Sequence, residues 1–371
     1  MQVSRLSEAP EGSAFREAFL ALPYRLHKGD PAWIPPFRNA LRAQLAPEAP
    51  FTRHGDWEHF LAFDGKIPVA RCSAMINHRY AEELPAPQKL GFIGYFEAID
   101  DYAASEAVLS VAVSWLRERG VSTVRGPINT STYFPYRFMT EGFERGAFFL
   151  EPYNPRRYPE HWERFGFKAC FGYSSSVVDS AHFAAQTRRH HDRVMAEGYR
   201  SRPFDPINFD AELKLMYDLS TAIFAGSWMW KPIAFEEFHG LYAGMRGIMD
   251  ADLCHFLFKG DEPVGFVFGL PDFAPAIRAM NGSQSLWSKA RFLMKRREAP
   301  AALLKTFGML PTHRNGSLAL ALCYLMHDAA ARKGYAKTVH ALMREDNTSL
   351  RMSHRFGGET FKRYALYERE A

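Results

Sequence analysis

A succession of strands followed by a helix occurs twice along the chain, and this repeated order constrains the fold more than any other feature. In the first half, strand-like segments cover residues 58–63, 68–76 and 90–99, and a helix-like segment covers 105–119. In the second half, the corresponding segments are 253–258, 263–270, 302–309 and 318–332. Period-two alternation indicates strands, and 3.6-residue spacing of apolar residues indicates helices. Their alternation predicts an α/β protein made of two units with mixed sheets.

The length also favours two domains, since 371 residues exceed what one hydrophobic core usually covers. The strand pattern stops between residues 178 and 200, where a polar stretch contains His190 and His191. We interpret this stretch as a solvated linker between an N-terminal unit at 1–180 and a C-terminal unit at 181–371. Trp228 and Trp230 are predicted core residues of the second unit.

Composition excludes several classes of protein. The 46 basic and 41 acidic residues give a net charge of +5, which is too mild for a nucleic-acid partner but suits an anionic ligand. Four scattered cysteines show neither metal-ligand spacing nor a disulfide framework, so we predict no metal site. No basic start with an apolar run follows Met1, and no stretch approaches about 18 uninterrupted apolar residues, so we predict a cytoplasmic protein. The 31 phenylalanines fit either an aromatic core or a large apolar cavity.

The clearest binding signal lies between the predicted strand that ends at Leu310 and the predicted helix that begins near Leu318. A strand, a short glycine-containing turn and a helix start can form an anion site. The first N–H groups of a helix lack internal partners, and the positive end of the helix dipole faces the ligand. Arg314 adds a charge to this turn. The alternative interpretation is an ordinary connection with a solvated arginine.

This turn resembles the pyrophosphate loop of the GNAT acyltransferase superfamily, whose pattern is R/Q-x-x-G-x-G/A. Arg314, Ser317 and Ala319 occupy the three defined positions, with serine where glycine is usual. The resemblance implies tandem GNAT-like N-acyltransferase units that use acetyl-CoA or a long-chain acyl-CoA as donor. It also implies a bulged strand whose backbone N–H groups at 307–310 polarise the thioester carbonyl. The implied cofactor-binding residues are Phe307, Met309, Leu310, His313, Arg314, Asn315, Gly316, Ser317, Leu318, Ala319 and Asn347.

The superfamily also has an asparagine before its next helix and, in many members, a tyrosine on that helix that protonates the departing thiolate. Asn347 matches the asparagine, but the tyrosine is absent. Either His354 or Ser353 replaces it, or the thiolate leaves unaided, or another group donates the proton.

The first half resembles the same superfamily at its end, where Tyr153-Asn154-Pro155 precedes Gly166-Phe167. Its strand-to-helix turn differs, because Asp100 and Asp101 take the place of the phosphates, and like charge repels a pyrophosphate. We therefore expect a C-terminal unit that binds acyl-CoA and an N-terminal unit that has lost CoA binding and forms the acceptor wall. Its predicted acceptor-binding residues are Asn129, Tyr133 and Tyr153.

Nearly the whole chain also resembles a narrower group of two-unit bacterial GNAT-like proteins. The matching pieces include Trp33-Ile34-Pro35-Pro36, Gly126-Pro127-Ile128-Asn129, Glu141-Gly142-Phe143, Leu270-Pro271-Asp272 and Lys362-Arg363-Tyr364. Bacterial ceramide synthases, which join a fatty acyl-CoA to a sphingoid amine, lie in or near this group. The resemblance implies amide formation on a hydrophobic, lipid-like primary amine. Acetyl transfer to a small metabolite or peptide amine, and a ligand-binding pair without turnover, are the alternatives.

Amide formation requires a base that takes a proton from the ammonium group of the acceptor. A carboxylate in a partly apolar cleft can have its pKa raised toward that task. Asp272, Glu141 and Glu345 are the candidates. The alternative role of each is a turn cap or a surface ion pair.

Basic and apolar residues interleave from 287 to 305, beginning with Trp287, Lys289 and Arg291. A helix of this kind can lie on an anionic membrane surface, which would bring a lipid-like acceptor within reach at the inner membrane. A solvated helix face near the CoA entrance is the alternative.

Overall fold

The chain crosses more than once between its two structural units. The computed structural model describes residues 1–9 and 14–371. Unit 1 contains Met1–Tyr173, Ala274–Arg297 and Lys362–Ala371, and unit 2 contains Ser174–Phe273 and Glu298–Phe361. The sequence predicted one crossing near residue 180, because the pattern of 274–297 or 362–371 does not indicate which core these segments join.

Strands and helices alternate along the chain, and the predicted α/β fold with mixed sheets is confirmed. The strands are β1 (Gln2–Arg5), β2 (Gly55–Asp64), β3 (Ile67–Asn77), β4 (Leu90–Ala98), β5 (Thr123–Gly126), β6 (Phe138–Glu141), β7 (Lys168–Asp179), β8 (Tyr199–Pro203), β9 (Cys254–Lys259), β10 (Glu262–Pro271), β11 (Ala302–Met309), β12 (Lys337–Arg344) and β13 (Glu359–Glu370). The helices are α1 (Phe15–Leu26), α2 (Arg38–Gln44), α3 (Tyr102–Arg117), α4 (Arg157–Arg164), α5 (Ser180–Ala196), α6 (Phe209–Phe224), α7 (Phe235–Tyr242), α8 (Ala274–Met280), α9 (Leu286–Lys295), α10 (Gly316–Arg332) and α11 (Thr348–Arg355).

In unit 1 the strand order is β1-β2-β3-β4-β5-β13, and β6 also pairs with β13. Neighbouring strands are antiparallel except for β4 and β5. Gly65, with φ of +58°, closes the tight turn between β2 and β3, as the Asp-Gly signal predicts. Helix α3 buries Val108, Ala112 and Leu116 at helical spacing in the apolar core of this unit.

In unit 2 the strand order from β12 is β12-β11-β10-β9-β8, with β7 on the other side of β12. Strands β11 and β12 are parallel, whereas β10 is antiparallel to both of its neighbours. Helix α10 buries Leu318, Leu322 and Met326, so one continuous stripe of its surface enters the core of this unit. The helix ends before Gly334, whose φ of +87° suits a helix stop.

The predicted solvated linker at 178–200 is wrong, because helix α5 occupies most of it. The side chain of Asp179 caps α5 by accepting a hydrogen bond of 2.9 Å from the backbone N–H of His182. The buried face contains Phe183, Thr187 and Val194. Because this apolar stripe is narrow and lies among arginines and histidines, its helical period is hard to recognise in the sequence.

Candidate functional site

The candidate site lies in unit 2, where two parallel strands separate. Strands β11 and β12 pair only through Ala302–Thr338, Leu303–Val339 and Leu304–His340. The three paired positions are buried on both strands, and beyond the last pair residues 305–307 and 341–344 are half-buried. Backbone groups that leave a ladder need other partners, so this gap suits an extended polar ligand such as a pantetheine chain.

A β-bulge lies where the gap opens. In the pairing between β10 and β11, Phe268 faces Thr306 and Gly269 faces Leu304, which leaves Lys305 as the extra residue. A bulge reorients backbone N–H groups locally. The sequence predicted such a bulge and placed the polarising N–H at 307–310, whereas the irregularity itself lies at Lys305.

The predicted anion-binding turn follows β11 and is open at its glycine. Helix α10 begins at Gly316, and the Oδ1 atom of Asn315 accepts a hydrogen bond of 2.8 Å from the backbone N–H of Leu318. This cap leaves the N–H groups of Gly316 and Ser317 as the first donors of the helix. A Cβ atom added at Gly316 would meet no atom within 4 Å, so the backbone is accessible to a diphosphate.

Three other elements of unit 2 contact this turn. The Arg314 guanidinium donates a hydrogen bond of 2.6 Å to the Ile223 carbonyl at the end of α6. The Tyr199 hydroxyl lies 3.2 Å from Nδ1 of His313, and Nδ1 of His190 lies 3.4 Å from the Ser317 hydroxyl. His190 is therefore a candidate phosphate contact that the sequence missed, since its segment was interpreted as a linker.

Aromatic side chains beside the turn contact both diverging strands. A Cβ atom added at Gly308 of β11 would lie 2.6 Å from Cγ2 of Ile223 and 3.6 Å from the ring of Phe224. The Trp228 ring lies 5.9 Å from the guanidinium of Arg344, at the end of β12, and Trp230 packs against Phe224. Both tryptophans are half-buried, so the prediction that they are core residues is wrong.

A buried chain of hydrogen bonds lies behind the last shared strand pair. Nδ1 of His327 lies 2.6 Å from the Cys323 carbonyl, Nε2 of His327 lies 2.8 Å from Nε2 of His340, and Nδ1 of His340 lies 2.9 Å from the Ser353 hydroxyl. Because a carbonyl only accepts, His327 donates from Nδ1 and, as a neutral ring, accepts at Nε2. His340 then donates from Nε2, and the Ser353 hydroxyl donates to His340. Ser353 is fully buried, so its hydrogen is directed at His340 and not at the open gap.

The two buried histidines make unit 2 sensitive to acid. Burial lowers the pKa of His327 from 6.5 to about 4, and burial together with His327 lowers the pKa of His340 well below 6.5. In the unfolded chain both rings take up a proton below about pH 6.5. The contribution of these two neutral rings to the free energy of unfolding is therefore fully present above pH 6.5 and decreases as the pH falls from 6.5 toward 4.

We expect the difference in unfolding free energy between the wild type and His327→Gln to narrow by about 2 kcal/mol between pH 7.5 and pH 5, roughly 1.4 kcal/mol per pH unit below 6.5. Urea unfolding at both pH values measures this difference. The matched control is His182→Gln, which removes an exposed histidine from α5. Parallel pH dependence of the wild type and His327→Gln would contradict the assignment.

The corresponding gap in unit 1 is closed. Strands β4 and β5 pair through three residues, and the chain after β5 stays on β4, since the Ile128 N–H donates to the Ile93 carbonyl at 2.9 Å. A Cβ atom at Gly94 would lie 2.0 Å from the Ile128 carbonyl oxygen. The bulge residue Tyr95, with φ of +50°, donates its N–H to Oδ1 of Asn129 at 2.7 Å. The backbone donor that would face a thioester is thus occupied by a side chain of the same unit.

The strand-to-helix turn of unit 1 also differs in charge. Helix α3 begins at Tyr102, three residues earlier than the sequence predicted. Asp101 is consequently its N-cap and accepts a hydrogen bond of 2.9 Å from the Ala103 N–H. Asp101 in unit 1 and Asn315 in unit 2 therefore hold the same capping position, one as a carboxylate and the other as a neutral amide.

The remaining predicted site residues of unit 2 have the following positions. Asp272 is buried just after β10, and its N–H donates to the Ala301 carbonyl at 2.8 Å. Glu345 lies one residue beyond β12 and accepts a hydrogen bond of 3.0 Å from Ser174.

His354 is exposed and lies 2.8 Å from the Thr360 hydroxyl. Asn347 caps α11 by accepting from the Ser349 N–H at 3.2 Å. Their catalytic and binding roles stay predictions.

Four predicted site residues belong to unit 1. Glu141 is exposed and forms a surface ion pair of 3.3 Å with Arg363. The Oδ1 atom of Asn129 accepts a hydrogen bond from the Tyr95 N–H at the bulge of β4. Tyr153 donates a hydrogen bond to Asp30, and the N–H of Tyr133 donates to the Ser131 hydroxyl at 3.4 Å.

Unit 2 also contains a cavity whose lining residues are not those of the candidate site. A cavity of about 610 Å³ is lined by residues between Arg202 and Glu212 together with Ala251. None of these belongs to β11, the anion-binding turn or β12. Arg202 and Glu212, which both line this cavity, are hydrogen-bonded to each other.

The diverging strands, the bulge and the open helix start together define the fold of GNAT-type N-acyltransferases, and the predicted resemblance is confirmed at the level of the fold. A tandem GNAT protein from the clavulanic acid biosynthesis pathway is similar in structure over 100% of this chain and 98% of its own, with a TM-score of 0.53 and 12% identity. In sequence, the chain is 26% identical over 363 residues to a bacterial ceramide synthase of Caulobacter vibrioides, covering 95% of this chain and 94% of that protein. Protein YghO of Escherichia coli is 24% identical over 363 residues, covering 95% and 92%. No protein-family model matches the chain.

Proposed function

We propose that this protein transfers an acyl group from acyl-CoA to a primary amine, with the donor bound in unit 2. The observation that carries the proposal is the contrast between the two units. In unit 2 the strands diverge beside a helix start whose N-cap is the neutral Asn315. In unit 1 the same gap is filled, and Asp101 caps the helix. A diphosphate is attracted by free helix N–H groups and repelled by a carboxylate at that position.

The residues of unit 2 divide the chemistry between them. The turn from Arg314 to Ala319 would hold the diphosphate, and the pantetheine chain would run along the half-buried part of β11 at residues 305–307. A backbone N–H near the Lys305 bulge would polarise the thioester carbonyl and stabilise the oxyanion that forms when the amine attacks. The oxyanion then collapses to the amide, the C–S bond breaks, and CoA leaves as its thiolate, which takes up a proton. The acceptor ammonium first loses a proton to a base, for which Asp272 and Glu345 are the carboxylates of this unit singled out by the sequence.

A hydrophobic amine such as a sphingoid base is the acceptor that we favour. Phe224, Trp228 and Trp230 form a half-buried aromatic group beside β11 and the end of β12, and such a surface would be of little use to a small polar amine. The similarity to a bacterial ceramide synthase points in the same direction. Acetyl transfer to a small metabolite or peptide amine is the second candidate, because the same donor site accommodates a short acyl group.

The direct test is to incubate the full chain with an equimolar mixture of acetyl-CoA and palmitoyl-CoA and with sphinganine or a small diamine. Mass spectrometry identifies the amide, and a thiol reagent measures the CoA released. We expect N-palmitoyl sphinganine as the main product. N-acetyl diamine would favour the second candidate, and CoA binding without any amide would favour a module without turnover. Glu345→Gln and Asp272→Asn identify the base, since loss of the base lowers kcat while CoA affinity is unchanged.

A further inference from the structure

Helix α9 presents an apolar stripe to solvent. Leu286 and Trp287 are each 83% exposed, Met294 is 77% exposed and Leu293 is 56% exposed. At about 100° per residue these four side chains occupy one arc of roughly 120°. The buried residues Ser288 and Phe292 lie on the opposite face. An apolar stripe facing away from the core requires another apolar environment.

The concentration of exposed apolar groups on α9 is a local property. Among residues 1–9 and 14–371, the other large apolar side chains with high exposure are Met1, Ile67, Leu150 and Ile207. Each of these is separated in sequence from the others, and single exposed apolar residues are common on protein surfaces. Four on one ten-residue helix form a patch.

Basic residues flank the stripe. The segment from Ala274 to Arg297 contains no acidic residue, and its basic residues are Arg278, Lys289, Arg291, Lys295, Arg296 and Arg297. Lys289 and Arg296 project on one side of the apolar arc, and Arg291 and Lys295 on the other, by their helical positions. All four are exposed. This arrangement is complementary to an anionic bilayer. The apolar stripe matches the acyl chains beneath the headgroups, and the flanking basic residues match the anionic headgroups themselves.

The helix is mounted on unit 1. Helices α8 and α9 form a hairpin, in which Arg278 donates a hydrogen bond of 3.3 Å to the Trp33 carbonyl. The Gly282 carbonyl between the two helices accepts a hydrogen bond of 3.0 Å from the Arg38 N–H. A helix fixed at its turn keeps one face toward solvent, so the exposure of Trp287 does not depend on a free chain segment.

From these observations we infer that α9 is a docking surface for an anionic phospholipid bilayer, into which Leu286, Trp287, Leu293 and Met294 insert at headgroup depth. Because the apolar stripe runs along the side of α9, the helix would lie parallel to the bilayer surface. No helix among the described residues is both long and apolar enough to cross a membrane. The inference goes beyond the proposed reaction, and its readout is binding, which does not require acyl transfer. Attachment to a bilayer would place the protein where an apolar amine acceptor is concentrated.

Vesicle binding tests the inference. The full chain is sedimented with vesicles of pure phosphatidylcholine or with vesicles containing roughly a third phosphatidylglycerol, at about 0.1 M and about 0.5 M salt. We expect binding at least about tenfold stronger to the anionic vesicles, weakened by salt, and a blue shift of tryptophan emission that Trp287→Phe removes. Trp287→Ser/Met294→Ser should reduce binding by about tenfold or more. Ile207→Ser, which removes an apolar side chain that is 88% exposed, is the control and should bind as the wild type does.

Two results would overturn the inference. The first is equal sedimentation of the wild type and Trp287→Ser/Met294→Ser with anionic vesicles. The second is concentration-dependent self-association in the absence of lipid that the same double variant abolishes, because the stripe would then be an interface between copies of this chain. Amide formation from palmitoyl-CoA and sphinganine without vesicles, measured in parallel, shows separately whether the proposed reaction fails.

Discussion

Changing Asn315 to aspartate is expected to weaken the binding of CoA and acyl-CoA by about hundredfold or more while the protein stays folded. Aspartate caps a helix as well as asparagine does, so the hydrogen bond from the Leu318 N–H is retained. At a separation of about 5 Å, the repulsion between the new carboxylate and a diphosphate would cost roughly 3 kcal/mol at an effective dielectric constant of about 20. Isothermal titration measures the affinity, and a thermal melt confirms the fold.

The matched control is Ala181→Asp, which adds the same charge to the first turn of α5. His190 of α5 contacts Ser317 at the start of α10, whereas Phe183 stacks on His327, which lies 12 residues after Asn315. The two helices are thus antiparallel, and residue 181 lies about 18 Å from the turn, beyond the screening length at physiological salt. The CoA affinity of the Ala181→Asp variant should therefore equal that of the wild type. Equal loss in both variants, or no loss in Asn315→Asp, would remove the anion site from this turn.

The reverse change in unit 1 should not create a second site. Asp101→Asn removes the carboxylate, but Ile128 and Asn129 still fill the gap beside β4. We expect one CoA per chain in this variant, as in the wild type. A second binding event would show that charge alone closes the first unit.

Replacing Lys362 by methionine is expected to destabilise unit 1 by about 3–5 kcal/mol. The Nζ atom of Lys362 lies 2.7 and 2.9 Å from the two carboxylate oxygens of Glu151, and both side chains are 1% exposed. Tyr364 donates to the same carboxylate, and so does the Phe148 N–H at 3.0 Å. Removing the cation leaves a buried carboxylate without a partner of opposite charge. Burial already raises the pKa of Glu151, against the effect of Lys362.

Urea unfolding of three variants separates this pair from a general loss of lysine. Lys337→Met breaks an exposed ion pair with Asp179 and should cost less than about 1 kcal/mol. The double change Lys362→Met with Glu151→Leu removes both buried charges and should recover most of the stability. A loss in Lys362→Met no larger than that in Lys337→Met would show that the buried pair contributes little.

The order of strands and helices and the position of the turn between β11 and α10 could be predicted because they depend on local patterns. Each of these local patterns is contained in a few consecutive residues. They are the alternation of apolar and polar residues in the strands, the turn after Asp64 and the motif from Arg314 to Ala319. The crossings of the chain between units could not be predicted, because helix α9 has no sequence signal for the core on which it is mounted. Its basic and apolar pattern was visible, but only the buried face at Phe292 shows that the apolar stripe points outward.

Contacts of the candidate site that depend on tertiary structure were missed for a similar reason. His190 lies 127 residues before Ser317, and no local pattern connects them. The tryptophans at 228 and 230 look like core residues from their size, yet both are only half-buried. The buried pair of His327 and His340 joins a helix to a strand 13 residues later, and its neutral state follows from burial that a sequence does not display.

Hydrogen–deuterium exchange of the full chain with and without palmitoyl-CoA tests most directly whether the turn at 314–319 binds the diphosphate. The N–H groups of Gly316 and Ser317 should exchange quickly in the free protein, because a helix start offers them no internal acceptor, and slowly when CoA is bound. Peptides that cover residues 99–105 of unit 1 should show no change. Protection at 99–105, or saturating CoA binding without protection at 314–319, would contradict the assignment of the donor site to unit 2.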